Sequence, residues 1–151
     1  MAYMVTHLPD AYLNEIAGYF AALHPLPPPA TPVAASPSLL ERGRVLAMQG
    51  DPASRVPACV ACHGQALAGT LPTVPGLVGL PRDYVNAQFG AWRNRTRQAH
   101  APDCMAVIAA RLSTDDINAV STWLASQPYA PDARPAAAFT GPLPLACGSV
   151  P

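Results

Sequence analysis

The sequence contains no lysine and carries little charge of either sign. All nine basic residues are arginine, nine residues are acidic, and the charged fraction is 12%, so the formal net charge is zero. Nucleic-acid binding depends on a concentrated basic surface that neutralises phosphates. This composition therefore excludes a nucleic-acid-binding protein, and no nucleic-acid partner is expected.

Long apolar runs and alternating strand patterns are also absent. Half of the residues are apolar, yet no stretch of 18 or more is continuously apolar, so no transmembrane segment is expected. The N-terminus lacks a basic segment followed by an apolar one, and a signal peptide is therefore not expected in this chain. Without a two-residue alternation to indicate strands, the expected fold class is all-α.

Proline, in contrast, is abundant, and its distribution divides the chain. Most of the 19 prolines lie in segments 25–37 and 128–151, which are predicted to be extended rather than packed. The block between them has helical patterning. We therefore expect a helix in 1–23, a Pro-rich linker in 24–37, one domain in 38–127 and a Pro-rich tail in 128–151.

Three helices are predicted within the domain. The first covers 38–49, with Ser38 and Glu41 as a capping box that satisfies free amide groups at the helix start. The second covers 82–93, after Pro81, and its apolar residues recur at helical spacing. The third covers 113–126, with Ser113 as its N-cap and acidic residues in the first turn.

The stretch VPACVACHG, residues 56–64, places Cys59, Cys62 and His63 within five residues. Three kinds of site use such a cluster: a redox dithiol, half of a zinc site and a covalent haem anchor. A redox dithiol normally follows a strand, and no strand is predicted here. A zinc site needs four ligands, but Cys104 and Cys147 are 43 residues apart without a nearby partner. Covalent haem attachment needs only the residues that are present.

Haem iron in an electron carrier needs a second axial ligand, and a thioether is a common one because it favours ferrous iron. Met105 lies 42 residues after His63, immediately before the last predicted helix. His100, five residues before Met105, is the alternative ligand. The spacing alone leaves both residues open as the second ligand.

The segments CVACHG, PGLVGLPRDYVNAQFGAWRNRTR and MAVIAARLSTDDINAVSTWLAS together resemble a class I c-type cytochrome. The pattern is most similar to the cytochrome c4 type, a di-haem protein of two similar domains. The resemblance implies helices packed around one covalent haem c, with thioether bonds to two cysteines and with His63 and Met105 as axial ligands to iron. It also implies that the Pro75 carbonyl accepts a hydrogen bond from the histidine ring. Two arginines would approach the haem propionates or a partner. The full set of cofactor-binding residues is then Cys59, Cys62, His63, Pro75, Arg95, Arg97 and Met105.

The resemblance also implies a function, a compartment and partners. The expected function is electron transfer without substrate chemistry, so the protein is not expected to be an enzyme. The expected location is the bacterial periplasm, and the expected partners are an oxidase, a membrane complex or a dehydrogenase. The alternative is a cytochrome subunit of a periplasmic dehydrogenase complex. Because haem c is attached in an oxidising compartment, a disulfide between Cys104 and Cys147 is also expected.

The N-terminal segment repeats the end of the domain. Residues 1–22 align without a gap with residues 105–126 at an offset of 104, so that Met1 falls on Met105 and Leu8 on Leu112. Such internal similarity indicates a repeat. We expect 1–23 to be the final helix of a preceding cytochrome domain that is largely missing, as in a fragment or a displaced start of a di-haem protein. Its buried face is predicted to be Leu8, Leu13, Ile16, Ala17 and Phe20.

Overall fold

The structure, a computed structural model, describes residues 2–23, 34–128 and 132–150, and their regular secondary structure is α-helical. Within these ranges only isolated β-bridges occur and no strand forms. None of the helices there is long and apolar enough to cross a membrane. The helices are α1 (Ala2–Val5), α2 (Asp10–Ala22), α3 (Pro37–Met48), α4 (Val60–His63), α5 (Arg82–Arg93), α6 (Cys104–Arg111) and α7 (Thr114–Ser126).

The fold is centred on the crossing of α3 and α7; α5 packs against α7, and α6 packs against α5. A Cβ atom at Gly43 would lie 2.2 Å from the carbonyl oxygen of Ala119 and 2.6 Å from Cβ of Trp123. Only glycine therefore allows the two helix backbones to approach this closely. Gly43 of α3 and Trp123 of α7 are thus in close contact where the two helices cross.

The hydrophobic core continues from this crossing toward the CVACH segment. Leu46 of α3 and Val120 and Leu124 of α7 are at most 2% exposed. Val60, beside the cysteines, and Phe89 of α5 belong to the same cluster. Several partly buried residues pack on its edge: Ala58, Cys59, Leu77, Val78, Leu80, Trp92, Met105, Ile108 and Trp123. The core thus extends to the residues expected to surround the haem.

The helix boundaries follow the local capping chemistry. Helix α5 has the predicted bounds, and the predicted N-cap of α7 is confirmed, since Ser113 forms a reciprocal capping box with Asp116. The capping box predicted for Ser38 and Glu41 is wrong. Helix α3 begins at Pro37, and the Ser36 hydroxyl accepts a hydrogen bond from Leu39 N at 3.3 Å. Proline fits the first turn because its missing N–H has no intrahelical partner there.

Arg42 of α3 forms ion pairs with the loop that follows α3 and with the first turn of α7. The Arg42 guanidinium lies 2.8 Å from carboxylate oxygens of both Asp51 and Asp116. Hydrogen bonding to Arg42 lowers the pKa of Asp51. Burial opposes a similar change at Asp116, but hydrogen bonds from Arg42 and Ser113 outweigh it, so the pKa of Asp116 is also lowered.

The N-terminal helices reproduce the register of the repeat. Helix α2, Asp10–Ala22, and helix α7, Thr114–Ser126, have the same length at the offset of 104. Yet α2 buries no residue, and Phe20 is 64% exposed where its counterpart Leu124 is 2% exposed. Helix α2 therefore presents an apolar face that nothing in the described part of the chain covers.

The two proline-rich segments differ in how far the structure describes them. Most of the predicted linker 24–37 lies outside the described residues, as does Met1. The expectation that the tail is unpacked is wrong for residues 132–150. The backbone N–H of Ala136 donates to Gly69 O at 2.8 Å, and Cys147 forms a disulfide with Cys104. The predicted disulfide is thus present in the structure.

Candidate haem-binding site

The CVACH segment forms a single short turn of helix. Cys59 immediately precedes α4, and its carbonyl accepts hydrogen bonds from Cys62 N at 3.2 Å and His63 N at 2.9 Å. Residues three apart on a helical turn lie on the same side, yet the two cysteines are not joined to each other. Gly64 ends the turn with a φ of 79°, a conformation that favours glycine.

The environment of the two thiols does not suit redox chemistry. Burial raises the pKa of Cys59 to about 11 and also raises the pKa of Cys62. Reactive dithiols need a lowered thiol pKa, because the thiolate is the nucleophile. The described residues also include no group of three His, Cys, Asp or Glu side chains that could hold a metal ion, so they offer no complete zinc site.

His63 is buried and held in one orientation. The residue is 7% exposed, and Nδ1 of its ring lies 2.8 Å from the carbonyl oxygen of Pro75. A carbonyl can only accept, so Nδ1 carries the hydrogen and Nε2 keeps its lone pair. Burial lowers the pKa of His63, although the bond to Pro75 opposes this change. The imidazole is therefore a neutral donor with Nε2 available to iron.

A hydrogen-bonded loop, residues 64–74, connects the short helix α4 to Pro75. The Thr70 hydroxyl donates to Cys62 O, and the Gly69 N–H donates to His63 O, each at 2.9 Å. Thr70 is only 3% exposed. Sequence reasoning did not identify Thr70, because no part of the CVACH motif indicates which residue folds back on it.

Met105 is the second residue of α6 and packs, half-buried, against the hydrophobic core. Asp103 caps this helix by accepting a hydrogen bond from Ala106 N at 2.9 Å. Residue His100, the alternative ligand, is exposed, and its backbone N–H donates to Ser149 Oγ at 3.2 Å. Of the two candidates, Met105 is the one in contact with the core.

The arginines after α5 have different surroundings. The Arg97 guanidinium stacks 4.3 Å above the ring of Trp92 and donates to Gln88. Arg95 is exposed and has a φ of 59°. Arg93, in contrast, donates to backbone carbonyls of Ala109, at 2.9 Å, and Leu112, and so joins α5 to α6.

A buried donor beside these arginines fits a bound acidic group. Nε1 of Trp92 is buried and has no hydrogen-bond partner among the described residues. A buried unpaired N–H is costly, and a carboxylate of a bound cofactor would satisfy it. Two unpaired thiols, an oriented imidazole, a thioether and this donor together fit a covalently attached haem.

Comparison with known proteins identifies the family. No protein-family model matches the chain. Cytochrome c-554(548) of Halomonas halodenitrificans is 32% identical over 81 residues, which make up 52% of this chain and 98% of that relative. The chain is a class I c-type cytochrome.

Two further similarities indicate the cytochrome c4-like branch. The structure of cytochrome c4 from Acidithiobacillus ferrooxidans aligns with a TM-score of 0.68 and 26% identity, covering 84% of this cytochrome and 71% of that one. The thiosulfate dehydrogenase electron acceptor of Thiomonas intermedia is 34% identical over 131 residues, which cover 87% of this chain and 59% of that protein. The chain thus spans about three fifths of that curated relative. These similarities support haem-based electron transfer and the all-α class I fold.

Proposed function

We propose that this chain is an electron-transfer cytochrome domain that carries one haem c, bound covalently through Cys59 and Cys62. When bound, the haem supplies an iron that cycles between the ferric and ferrous states. The observation that carries the proposal is the His63 ring, which is buried, neutral and oriented by Pro75 O at 2.8 Å. No residue of the chain is proposed to make or break a substrate bond.

The remaining residues of the site have supporting roles in this proposal. His63 Nε2 is the proximal ligand and the Met105 thioether is the distal one, which favours ferrous iron. Trp92 N–H, Arg95 and Arg97 provide donors and positive charge for the haem propionates. A haem attached in this way requires an oxidising compartment, so we propose the periplasm as the location, with redox proteins as partners.

The alternative is a cytochrome subunit held to a periplasmic dehydrogenase. It is favoured by the relative from Thiomonas intermedia, whose name is thiosulfate dehydrogenase electron acceptor. Stable co-purification with a dehydrogenase distinguishes this subunit from a free carrier, because a carrier docks only briefly with its partners.

We also propose that residues 1–23 are the end of a preceding haem domain, followed by the linker 24–37, the haem domain 38–127 and the tail 128–151. The equal bounds of α2 and α7 at the offset of 104 support this division. Leu13, Ile16 and Phe20 then take the places of Ile117, Val120 and Leu124. Glu15 is an exception, since it falls on fully buried Ala119.

Covalent attachment is tested with protein exported from a strain that has haem-attachment machinery. We expect a Soret band, and acid–acetone extraction should leave the colour with the protein because thioether bonds resist it. The matched control is Cys59→Ser/Cys62→Ser, which should release any bound haem into the solvent. Complete extraction of haem from the matured unaltered protein, or no Soret band at all, would refute the proposal.

A further inference from the structure

The tail begins its path across the molecule on the loop that orients His63. Ala136 N donates to Gly69 O at 2.8 Å, and Leu71 N donates to Ala136 O at 2.9 Å, so that the tail pairs in parallel with Thr70. Gly69 N in turn donates to His63 O. Gly69 thus forms backbone hydrogen bonds both with Ala136 of the tail and with His63, the proposed proximal ligand.

The far end of the tail is fastened beside Met105. Cys147 is covalently bound to Cys104, the immediate neighbour of Met105. Gly148 N donates to Pro102 O at 2.9 Å, and a Cβ at Gly148 would lie 2.1 Å from Ala101 O. The tail can approach the segment before α6 this closely only because residue 148 has no side chain.

Ser149 forms hydrogen bonds with the loop that leads to Pro75 and with the segment that leads to α6. Its carbonyl accepts a hydrogen bond from the Thr73 hydroxyl at 2.7 Å, and its hydroxyl accepts one from His100 N at 3.2 Å. Thr73 lies in the loop that leads to Pro75, and His100 lies in the segment that leads to Met105. One residue therefore links the two segments that carry the proposed ligand set.

Between its anchors the tail has an inner apolar face. Phe139, Leu143, Leu145 and Cys147 are half-buried. Pro144 and Ala146, which alternate with the last three, are exposed. These inner residues contribute to a shallow, open groove within residues 139–150.

On the basis of the proposed function, we propose that residues 132–150 form a strap that covers the proposed haem site between the loop 64–74 and α6. The Cys104–Cys147 disulfide makes this strap hold Met105 in place. The strap is a positioning element, since it acts on the sixth ligand through the neighbouring cysteine. External ligands then reach ferric iron only when the α6 end and the strap open together.

Imidazole binding to the ferric holoprotein tests the strap. The rate at which imidazole displaces Met105 is measured from the loss of the sulfur-to-iron charge-transfer band. In Cys104→Ser/Cys147→Ser we expect at least about a tenfold increase, because a cross-link that closes a loop strongly disfavours open states. Ala136→Pro, which removes the N–H that donates to Gly69, should also accelerate binding. Equal rates in the unaltered protein and both variants would overturn the inference.

The matched control is Ala138→Pro, because Ala138 is exposed and donates no backbone hydrogen bond in the described part of the chain. Its rate should equal that of the unaltered protein, and an equal acceleration would show that any proline in the tail disturbs the site. Acceleration in the double serine variant alone would indicate a local effect of the disulfide and would also overturn the strap. The starting spectrum separates the two proposals. Covalent haem with a methionine band supports the proposed function whatever the rates show, covalent haem without that band overturns the strap alone, and absence of covalent haem refutes both.

Discussion

Among single residues, the site depends on two thiols that stay protonated and unpaired and on an imidazole held in one tautomer. The two cysteines have raised pKa values and are not joined to each other, so both remain available for thioether bonds. The bond from His63 Nδ1 to Pro75 O selects the tautomer with a free Nε2. Backbone carbonyls near a metal ligand tune its orientation and basicity in this way.

Met105→Ala tests the distal ligand. We expect the sulfur-to-iron band to disappear and the reduction potential to fall, because loss of a thioether destabilises ferrous iron. The control is Met48→Ala, since Met48 lies on α3 and is 38% exposed. Its spectrum and potential should not change. A band that persists in Met105→Ala would show that another thioether is the ligand. A band already missing from the unaltered protein would point instead to His100, which His100→Ala would then examine.

At the scale of helices, the domain depends on the close crossing of α3 and α7. The contact leaves no space for a side chain at Gly43, whereas a Cβ at Gly90, in the interior of α5, would meet nothing within 4 Å. The two glycines therefore differ in environment, although both lie inside helices.

Gly43→Ala should destabilise the holoprotein by about 1–3 kcal/mol, because the added methyl group overpacks the helix crossing. Gly90→Ala is the matched control and should stabilise the protein by about 0.5–1 kcal/mol, since alanine favours an open helical position. Denaturant unfolding followed by circular dichroism measures both free energies. Similar values for the two variants would contradict the crossing.

The ion pairs of Arg42 predict a dependence of stability on pH. The pKa values of Asp51 and Asp116 are lowered in the folded protein. Both carboxylates therefore contribute stability above their unfolded pKa values, and this contribution is lost as the pH falls through their folded values. In Arg42→Gln the part of this lowering that comes from the guanidinium is lost, so we expect a smaller loss of stability between neutral and acid pH.

The control for this measurement is Arg44→Gln, whose partner Glu41 is paired at the surface with side chains 43% and 58% exposed. Exposed pairs contribute little, so its stability should follow that of the unaltered protein. Thermal unfolding at several pH values provides the comparison. An Arg42→Gln curve parallel to that of the unaltered protein would contradict the prediction.

In the whole molecule, α2 is the helix whose apolar residues remain uncovered in the described part of the chain. Leu13 and Ile16 correspond to buried core residues of α7, but α2 buries none of its residues. Leaving large apolar side chains in water forgoes roughly 1.5–3 kcal/mol for each. The helix is therefore expected to find cover on another chain or to fray.

Light scattering at several concentrations and hydrogen exchange on residues 1–23 test this expectation. We expect concentration-dependent association or rapid exchange in this segment. Phe20→Ser should reduce association, whereas Tyr3→Ser, on α1 and 83% exposed, serves as the control. Adding an upstream haem domain should protect the segment. A strict monomer with a well-protected α2 and no upstream domain would show that the helix belongs to a one-haem fold.

The cysteine–histidine motif that predicts haem attachment can be recognised from the sequence alone, as can the helices whose ends have strong local signals. Cys59, Cys62 and His63 are adjacent in the chain, so their grouping needs no fold, and Ser113 with acidic residues after it specifies the start of α7 locally. The position of α3 was misjudged by one residue, because Ser36 ahead of Pro37 competes with Ser38 as the cap. Local competition of this kind cannot be resolved from composition.

Apart from the predicted Cys104–Cys147 disulfide, the contacts between distant segments emerge only in the folded chain. The packing of residues 132–150 depends on backbone groups of Gly69 and Pro102, and backbone groups leave no trace in the identity of side chains. Thr70 likewise reaches Cys62 O only because the intervening loop folds back. Proline content predicted an extended tail, and residues 132–150 form no helix. Whether an extended segment lies in solvent or on the protein depends on partners far away in the sequence, and these only the folded chain brings together.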